Sequence, residues 1–206
     1  MDVAEKLGGS EMNAAMLQRQ KTLPLTPGPV PVIETARLTL RPHRLSDADA
    51  IAGSLSDFAV TRMLARVPAP YDRQDALDWL VPRAAGVTND WAFAVTEGDD
   101  VHLGVVALEL RHGRWHLGYW LNRHFWRRGI MSEAVAVAVD RFLRRMPEMP
   151  VHSGVFADNP ASLKLQERLG FQVTGCAEVY SFARNTMVPH IETVLEPGAL
   201  RLFEAA

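Results

Sequence analysis

The sequence predicts an α/β (α+β) domain built on a mixed, mostly antiparallel sheet of seven strands flanked by helices. Three observations predict it. Short alternating segments in the middle of the chain are joined by tight turns, as antiparallel hairpins require. Downstream, strand-like and helix-like segments take turns, the pattern of β-α-β connections. Between these regimes, Gly118–Ala134 runs from a strand through a basic, aromatic turn into a helix opened by Gly129.

Taken in order, residues 1–32 differ from the rest. They carry Gly8-Gly9, a short helix over Glu11–Gln20, then Pro24, Pro27, Gly28, Pro29 and Pro31. Proline at this density blocks strand pairing and helix, so the segment reads as a flexible tail and linker. An arm packed on a partner subunit is the alternative. Arg37–Arg41 alternates like a strand, Ser46 caps a helix through Leu55, and a second short helix covers Ala59–Ala65. Asp72 caps a helix running to Ala85. Strands follow at Trp91–Thr96, Val101–Leu110 and Arg114–Leu121, with turns at Gly98 and at His112-Gly113. Met131–Arg145 places Val135, Val139 and Phe142 on one helical face. Val151–Phe156 is a strand, Pro160–Leu169 a helix, and Phe171–Glu178 and His190–Leu195 complete the sheet. The domain therefore spans 33–196, with 197–206 as a C-terminal tail.

At 206 residues, 48% hydrophobic and 22% charged, the chain is long enough for one domain with a sizeable core. A net charge of -2 gives no support for nucleic acid bound through bulk charge. The single cysteine, Cys176, forbids an intramolecular disulfide, which fits a reducing compartment. No apolar run reaches the roughly 18 residues a bilayer span needs, so no membrane partner is expected. The N-terminus lacks a basic region followed by an apolar core, and the cytoplasm is the default location.

The helix that follows Gly129 offers unpaired N–H groups and a partial positive charge, with Arg127 and Arg128 beside it. Such a start suits a phosphate. Neither a P-loop nor a dinucleotide-binding glycine pattern is present. The surrounding residues decide which phosphate compound fits. Tyr119, Trp120, Leu121, Gly129, Ile130, Ser132, Glu133 and Ala134 resemble the strand–turn–helix motif of the GNAT superfamily of N-acetyltransferases, in particular the Rim-type ribosomal-protein N-terminal acetyltransferase branch. A second segment, Asn159-Pro-Ala-Ser162 through Gly170-Phe171, is similar to that family's downstream helix. A weaker likeness covers Val67–Tyr71 with Asp75-Ala76. Two positions depart from the pattern: Arg127 stands where a glycine is usual, and Met131 where a small residue is. Arg127 can still donate its N–H there provided its φ is negative.

The resemblance implies a GNAT fold in which two adjacent parallel strands, Arg114–Leu121 and Val151–Phe156, splay apart. It implies acetyl-coenzyme A as cosubstrate, a primary amine as acceptor (a protein N-terminus or a small molecule), direct transfer and no metal; it also admits a homodimer. The backbone of Tyr119, Trp120 and Leu121 would pair with the pantetheine arm. Amides of Arg128, Gly129, Ile130, Met131 and Ser132 would hold the pyrophosphate. Arg127 or Arg128 would reach the 3′-phosphate, although two arginines in a turn are also an ordinary solvated surface. Asn159 caps its helix, with Pro160 at the first position, and in the family the matching Asn also touches pantetheine. Ser162 would protonate the departing thiolate, against a plain helix-surface hydroxyl. Glu109 interrupts an apolar strand and is either the general base or a sheet-edge carboxylate facing water; His116 is the other candidate.

Cys176 reads as a small core residue, His102 and His112 as surface, and Trp79, Trp91, Trp115, Phe125 and Trp126 mainly as core, with Trp126, beside the phosphate turn, as the exception. A non-catalytic acyl-coenzyme A binder that kept the cleft and lost turnover is the alternative to an enzyme.

Overall fold

A computed structural model describes residues 26–202. The short helix expected over Glu11–Gln20 lies outside them. The elements in chain order are β1 (Ile33–Glu34), β2 (Leu38–Pro42), α1 (Ala48–Leu55), α2 (Phe58–Thr61), α3 (Arg73–Ala84), β3 (Trp91–Glu97), β4 (Val101–Arg111), β5 (Arg114–Leu121), α4 (Ile130–Arg145), β6 (Val151–Phe156), α5 (Pro160–Leu169), β7 (Gln172–Ser181) and β8 (Thr186–Leu195). They form one eight-stranded sheet in the order β1-β2-β3-β4-β5-β6-β8-β7. The expected count was seven. The additional strand is the two-residue β1, too short to carry an alternation signal, which pairs Ile33 with Leu40.

Local chemistry sets most boundaries. Asp72 accepts from the N–H groups of Gln74 and Asp75, and Asp75 answers to the Asp72 N–H, a complete capping box for α3. Asn159 accepts from the Ser162 N–H at 3.2 Å, and Gly170, with φ of 102°, ends α5 in the left-handed conformation glycine tolerates. Ser46 is not the cap of the first helix. A 3₁₀ turn over Leu45–Asp47 precedes α1, and Asp47 takes the Arg44 N–H at 2.8 Å because Arg41 holds that carboxylate in place. Asp57 caps α2, which is shorter than the sequence suggests.

The two sides of the sheet are built differently. On one, Trp91, Phe93, Val106, Leu108 and Trp115 pack against the apolar face of α4, with Phe142 at its centre. Leu165 and Leu169 bring α5 into the same core. On the other, α1–α3 form their own small core around Ile51 and Leu80 and sit on Ala92, Val105 and Ala107 through Trp79 and Trp120. Residues just before β1 and after β8 also touch the domain: the Trp91 indole donates to the Gly28 carbonyl at 2.8 Å, and the Arg201 N–H donates to Leu169.

Two placements differ from expectation. His102 is half-buried rather than surface, with both ring nitrogens shielded, since the α1–α3 layer covers its end of β4; its ring lies 5.9 Å from Trp120 and 6.2 Å from His43. Cys176 is exposed, because β7 is the sheet's edge and leaves most of its length uncovered. Trp126, the aromatic residue set apart beside the turn, is 39% exposed, and its indole N–H braces the turn by donating to Leu121 O at 2.8 Å.

The feature that matters for function is the one parallel contact. β5 and β6 pair only at Trp115–Val151 and His116–His152. Beyond that point β5 stays with β4 as far as Leu121, and β6 stays with β8 as far as Phe156. Their facing edges are left without a strand partner, so the sheet is split.

Candidate active site

All twelve residues expected to take part line one cleft of about 1320 Å³ that fills this split. They are Glu109, Tyr119, Trp120, Leu121, Arg127, Arg128, Gly129, Ile130, Met131, Ser132, Asn159 and Ser162. The cleft has three parts.

The first is the start of α4. Gly129 is its N-cap with φ of 72°, and the N–H groups of the first turn have no carbonyl within the helix to bond. A 16-residue helix carries a substantial dipole, so this end attracts negative charge. Met131 is buried in the main core and anchors the turn. The sequence offered no sign of Arg37, which reaches across from the β1–β2 connection. It donates to Glu133 at 2.7 Å and to the Arg128 carbonyl at 3.0 Å, fixing the turn from outside. Arg127 has φ of 63°, so the condition of a negative φ is not met. The backbone there adopts the conformation for which glycine is the low-strain choice, and the arginine carries that strain.

The second part is a polar network on the α5 side of the split. The Tyr119 hydroxyl and Ser162 Oγ are 2.7 Å apart. The Gln166 side-chain amide donates to Tyr119 Oη at 3.3 Å and to Ser153 Oγ at 3.0 Å, and accepts from Thr193 Oγ1 at 2.6 Å. Ser153 in turn donates to the Leu117 carbonyl at 3.0 Å. One side chain of α5 thus ties β5, β6 and β8 together where the strands diverge. Burial pushes the Tyr119 phenol above its ordinary value, partly opposed by its bonds to Ser162 and Gln166. Gln166, Ser153 and Thr193 went unnoticed in the sequence because each sits in an unremarkable helix or strand pattern; only the fold brings them together.

The third part lies on the opposite face, at the closed end of the split. Glu109 pairs in register with His116, and His116 with His152. Glu109 is 9% exposed and is surrounded by arginines. Arg66 donates at 2.6 Å, Arg83 at 3.1 Å, and Arg111 through both Nε and Nη2. Burial raises the Glu109 carboxyl, but Arg111 and then Arg66 outweigh it and hold the group below its usual value. Its lone pairs are largely occupied. The carboxylate expected as general base is therefore a weaker proton acceptor than an ordinary glutamate. His116 is weaker too: burial, followed by the charges of Arg111, His152, Arg114 and Arg66, lowers it to about 4. Among the described residues no group of three or more His, Cys, Asp or Glu is placed to hold a metal ion. No helix among them is long and apolar enough to cross a membrane.

Comparison with known proteins agrees with this geometry. The acetyltransferase (GNAT) domain family model matches residues 37–172. The chain is 31% identical over 160 residues, 75% of its own length and 89% of the relative's, to the uncharacterized N-acetyltransferase p20 of Bacillus licheniformis. The ribosomal-protein-S5-alanine acetyltransferase of Vibrio fischeri superposes with a TM-score of 0.69 at 20% identity, covering 84% of this chain and 100% of that one. Spermidine N-acetyltransferase of Vibrio cholerae, solved with coenzyme A and spermine, superposes with a TM-score of 0.68 at 18% identity, covering 80% and 98%. This chain belongs to the GNAT acetyltransferase family, and it is an acyltransferase.

Proposed function

We propose that the protein moves an acetyl group from acetyl-coenzyme A to a primary amine by direct transfer in a ternary complex. The observation that carries the reading is that the split between β5 and β6 opens into the same cleft as the start of α4. A strand edge without a partner suits the amides of a pantetheine arm, and a helix start suits a pyrophosphate.

On this reading Tyr119, Trp120 and Leu121 offer their backbone to the arm, and the amides of Arg128 through Ser132 hold the pyrophosphate. Arg127 or Arg128 meets the 3′-phosphate, and Asn159 contacts the arm while capping α5. Acetyl-coenzyme A supplies a thioester whose thiolate, with a thiol pKa of about 8.5, leaves with modest help. Ser162 Oγ gives that sulfur its proton as the C–S bond breaks and is resupplied by the Tyr119 hydroxyl 2.7 Å away; the proton the amine nitrogen loses as the C–N bond forms passes through water and restores the pair, since burial favours the protonated phenol. Glu109 acts as a positioning residue that gathers Arg66, Arg83 and Arg111. The acceptor enters as its neutral amine; an α-amino group, with a pKa of about 7.7–8.0, is substantially neutral near pH 8.

The test is release of free thiol from acetyl-coenzyme A against a panel of amines and N-terminal peptides. Turnover on at least one acceptor is expected; binding without release on every acceptor would overturn the reading. Tyr119→Phe and Ser162→Ala should each lower kcat by about tenfold to a hundredfold, with KM for acetyl-coenzyme A unchanged. The two losses should not add, because the groups act in series. In the wild type and in Glu109→Gln alike, kcat/KM should rise with pH along a limb whose midpoint is the acceptor amine's own pKa. A shift of that limb in the variant would restore Glu109 as the base.

A further inference from the structure

The closed end of the split carries a charge pattern that acetyl transfer itself does not require. Arg66 follows α2, Arg111 ends β4 and Arg114 opens β5, and all three line the cleft. The one carboxylate among them, Glu109, is shared from behind with Arg83, which also holds Asp90. Arg66 spends one N–H on Glu109 and leaves 59% of its side chain in solvent. Arg114 has no ion pair or side-chain hydrogen bond among the described residues. Three guanidiniums thus face the cleft against one already-shared carboxylate.

This bank is not a second grip on the coenzyme's phosphates. It lies at the first residues of β5, whereas the turn before α4 follows the last. Eight extended residues separate them by about 25 Å. The other wall is different. On β8, Glu192 lies opposite Gly154 of β6, is exposed, and lines the same cleft. Gly154 is bare because the His190 ring lies over it: a Cβ there would come within 2.1 Å of His190 Cε1. The cleft is therefore positive on the β4–β5 bank and carries an exposed carboxylate on the β8 bank.

We infer that the acceptor carries a carboxylate close to its amine, and that Arg66, Arg111 and Arg114 select it. Guanidinium recognises carboxylate with paired, charge-assisted hydrogen bonds. The amine of such an acceptor would lie toward Glu192 on the far wall, whose carboxylate accepts an amine N–H. Two sources share this chemistry: the α-carboxylate of a free amino acid, and an acidic side chain next to a peptide N-terminus. A polyamine, cationic throughout, is disfavoured by like charge.

The inference rests on the acetyl transfer proposed above, and the test separates the two. The full chain is assayed with acetyl-coenzyme A against free amino acids and their amides, tripeptides with Asp or Lys second, and spermidine. The carboxylate-bearing acceptor of each pair should show a kcat/KM about tenfold or more above its partner. Preference among amino acids over amides, or among Asp over Lys peptides, tells which source supplies the anion. Arg66→Met and Arg114→Met should each erase much of that preference by raising acceptor KM. Neither should alter KM for acetyl-coenzyme A, and Arg114→Met, whose side chain is exposed and without an ion pair among the described residues, should also leave the melting temperature unchanged. Calorimetry with an N-acetylated amino acid and its amide, in the presence of coenzyme A, reads the same selectivity without turnover. Equal use of acids and amides, preference for spermidine, or a preference unchanged in both variants would overturn the inference alone. No rise in melting temperature with millimolar acetyl-coenzyme A would overturn the underlying reading, and this one with it.

Discussion

The two ends of the cleft are made from different materials. The turn before α4 is a site of backbone: a left-handed Gly129, free amides and a helix dipole, contributed by contiguous residues. The floor around Glu109 is a site of side chains, with Arg66, Arg83, Arg111 and Arg114 converging from four places in the chain. A backbone site depends on local conformation, so it is robust to pH and readable as a motif. A side-chain site depends on the packing of whole layers, so it responds to pH and to single charge changes, and carries specificity.

The largest expected contrast is with pH. Under the α1–α3 layer His43 is buried against Trp79, which also carries the Arg83 guanidinium on its ring, and the half-buried His102 ring lies 6.2 Å from His43. Burial depresses both, His102 to about 4, with neighbouring charges adding to or opposing it. Between pH 6.5 and 4 the unfolded chain binds these protons and the folded one resists them, so stability falls as pH drops through that window. His102 alone contributes on the order of 3 kcal/mol, at roughly 1.36 kcal/mol per pKa unit. Above about pH 7 the term vanishes. Urea titrations at pH 7.5, 6 and 5 should show this loss, and His102→Phe should flatten it; an unflattened slope would place the acid sensitivity elsewhere. If the comparison holds, coenzyme A affinity should persist at pH 6 where acceptor KM has already begun to rise.

Glu109→Gln should cost about 2 kcal/mol, because Arg83, only 15% exposed, loses its shared counter-charge while Asp90 keeps part of it. For a domain of this size that lowers Tm by about 4–8 °C. A scan that showed no change would mean the arginines relax into solvent and that the floor is not preorganised.

The smallest effects should fall at the backbone site. Gly129→Ala places a side chain at φ of 72° and a Cβ 3.4 Å from Arg37 Nη2, costing about 1 kcal/mol and raising KM for acetyl-coenzyme A. Arg127→Gly should do the opposite for stability, relieving up to about 1 kcal/mol at a φ of 63°. If Arg127→Gly instead weakens coenzyme binding severalfold, the side chain is a phosphate ligand; if binding is unchanged, the arginine is tolerated strain. Acceptor KM should be indifferent to both changes.

Legibility in the sequence divides along the same line. Helices capped by Asp72 and Asn159 and ended by Gly170 could be placed closely, because each boundary is a local hydrogen bond or a single dihedral. The Ser46 cap could not, since Asp47 is recruited by Arg41 from β2. His102 looked like a surface residue and has its ring nitrogens buried, while Cys176 looked like a strand core residue and is exposed. Alternation along a strand does not say which strands another layer will cover.

By itself the sequence determined the order of elements, the strand–turn–helix start and the cap of α5. These arise from interactions within a few residues, and such interactions are written contiguously. The tertiary structure alone decided that β5 and β6 part after two residue pairs, that Gln166 bridges three strands, and that dispersed arginines share one carboxylate. Those arrangements depend on residues tens of positions apart meeting at a few ångströms. Only the completed packing of the sheet between its two unlike layers fixes those distances.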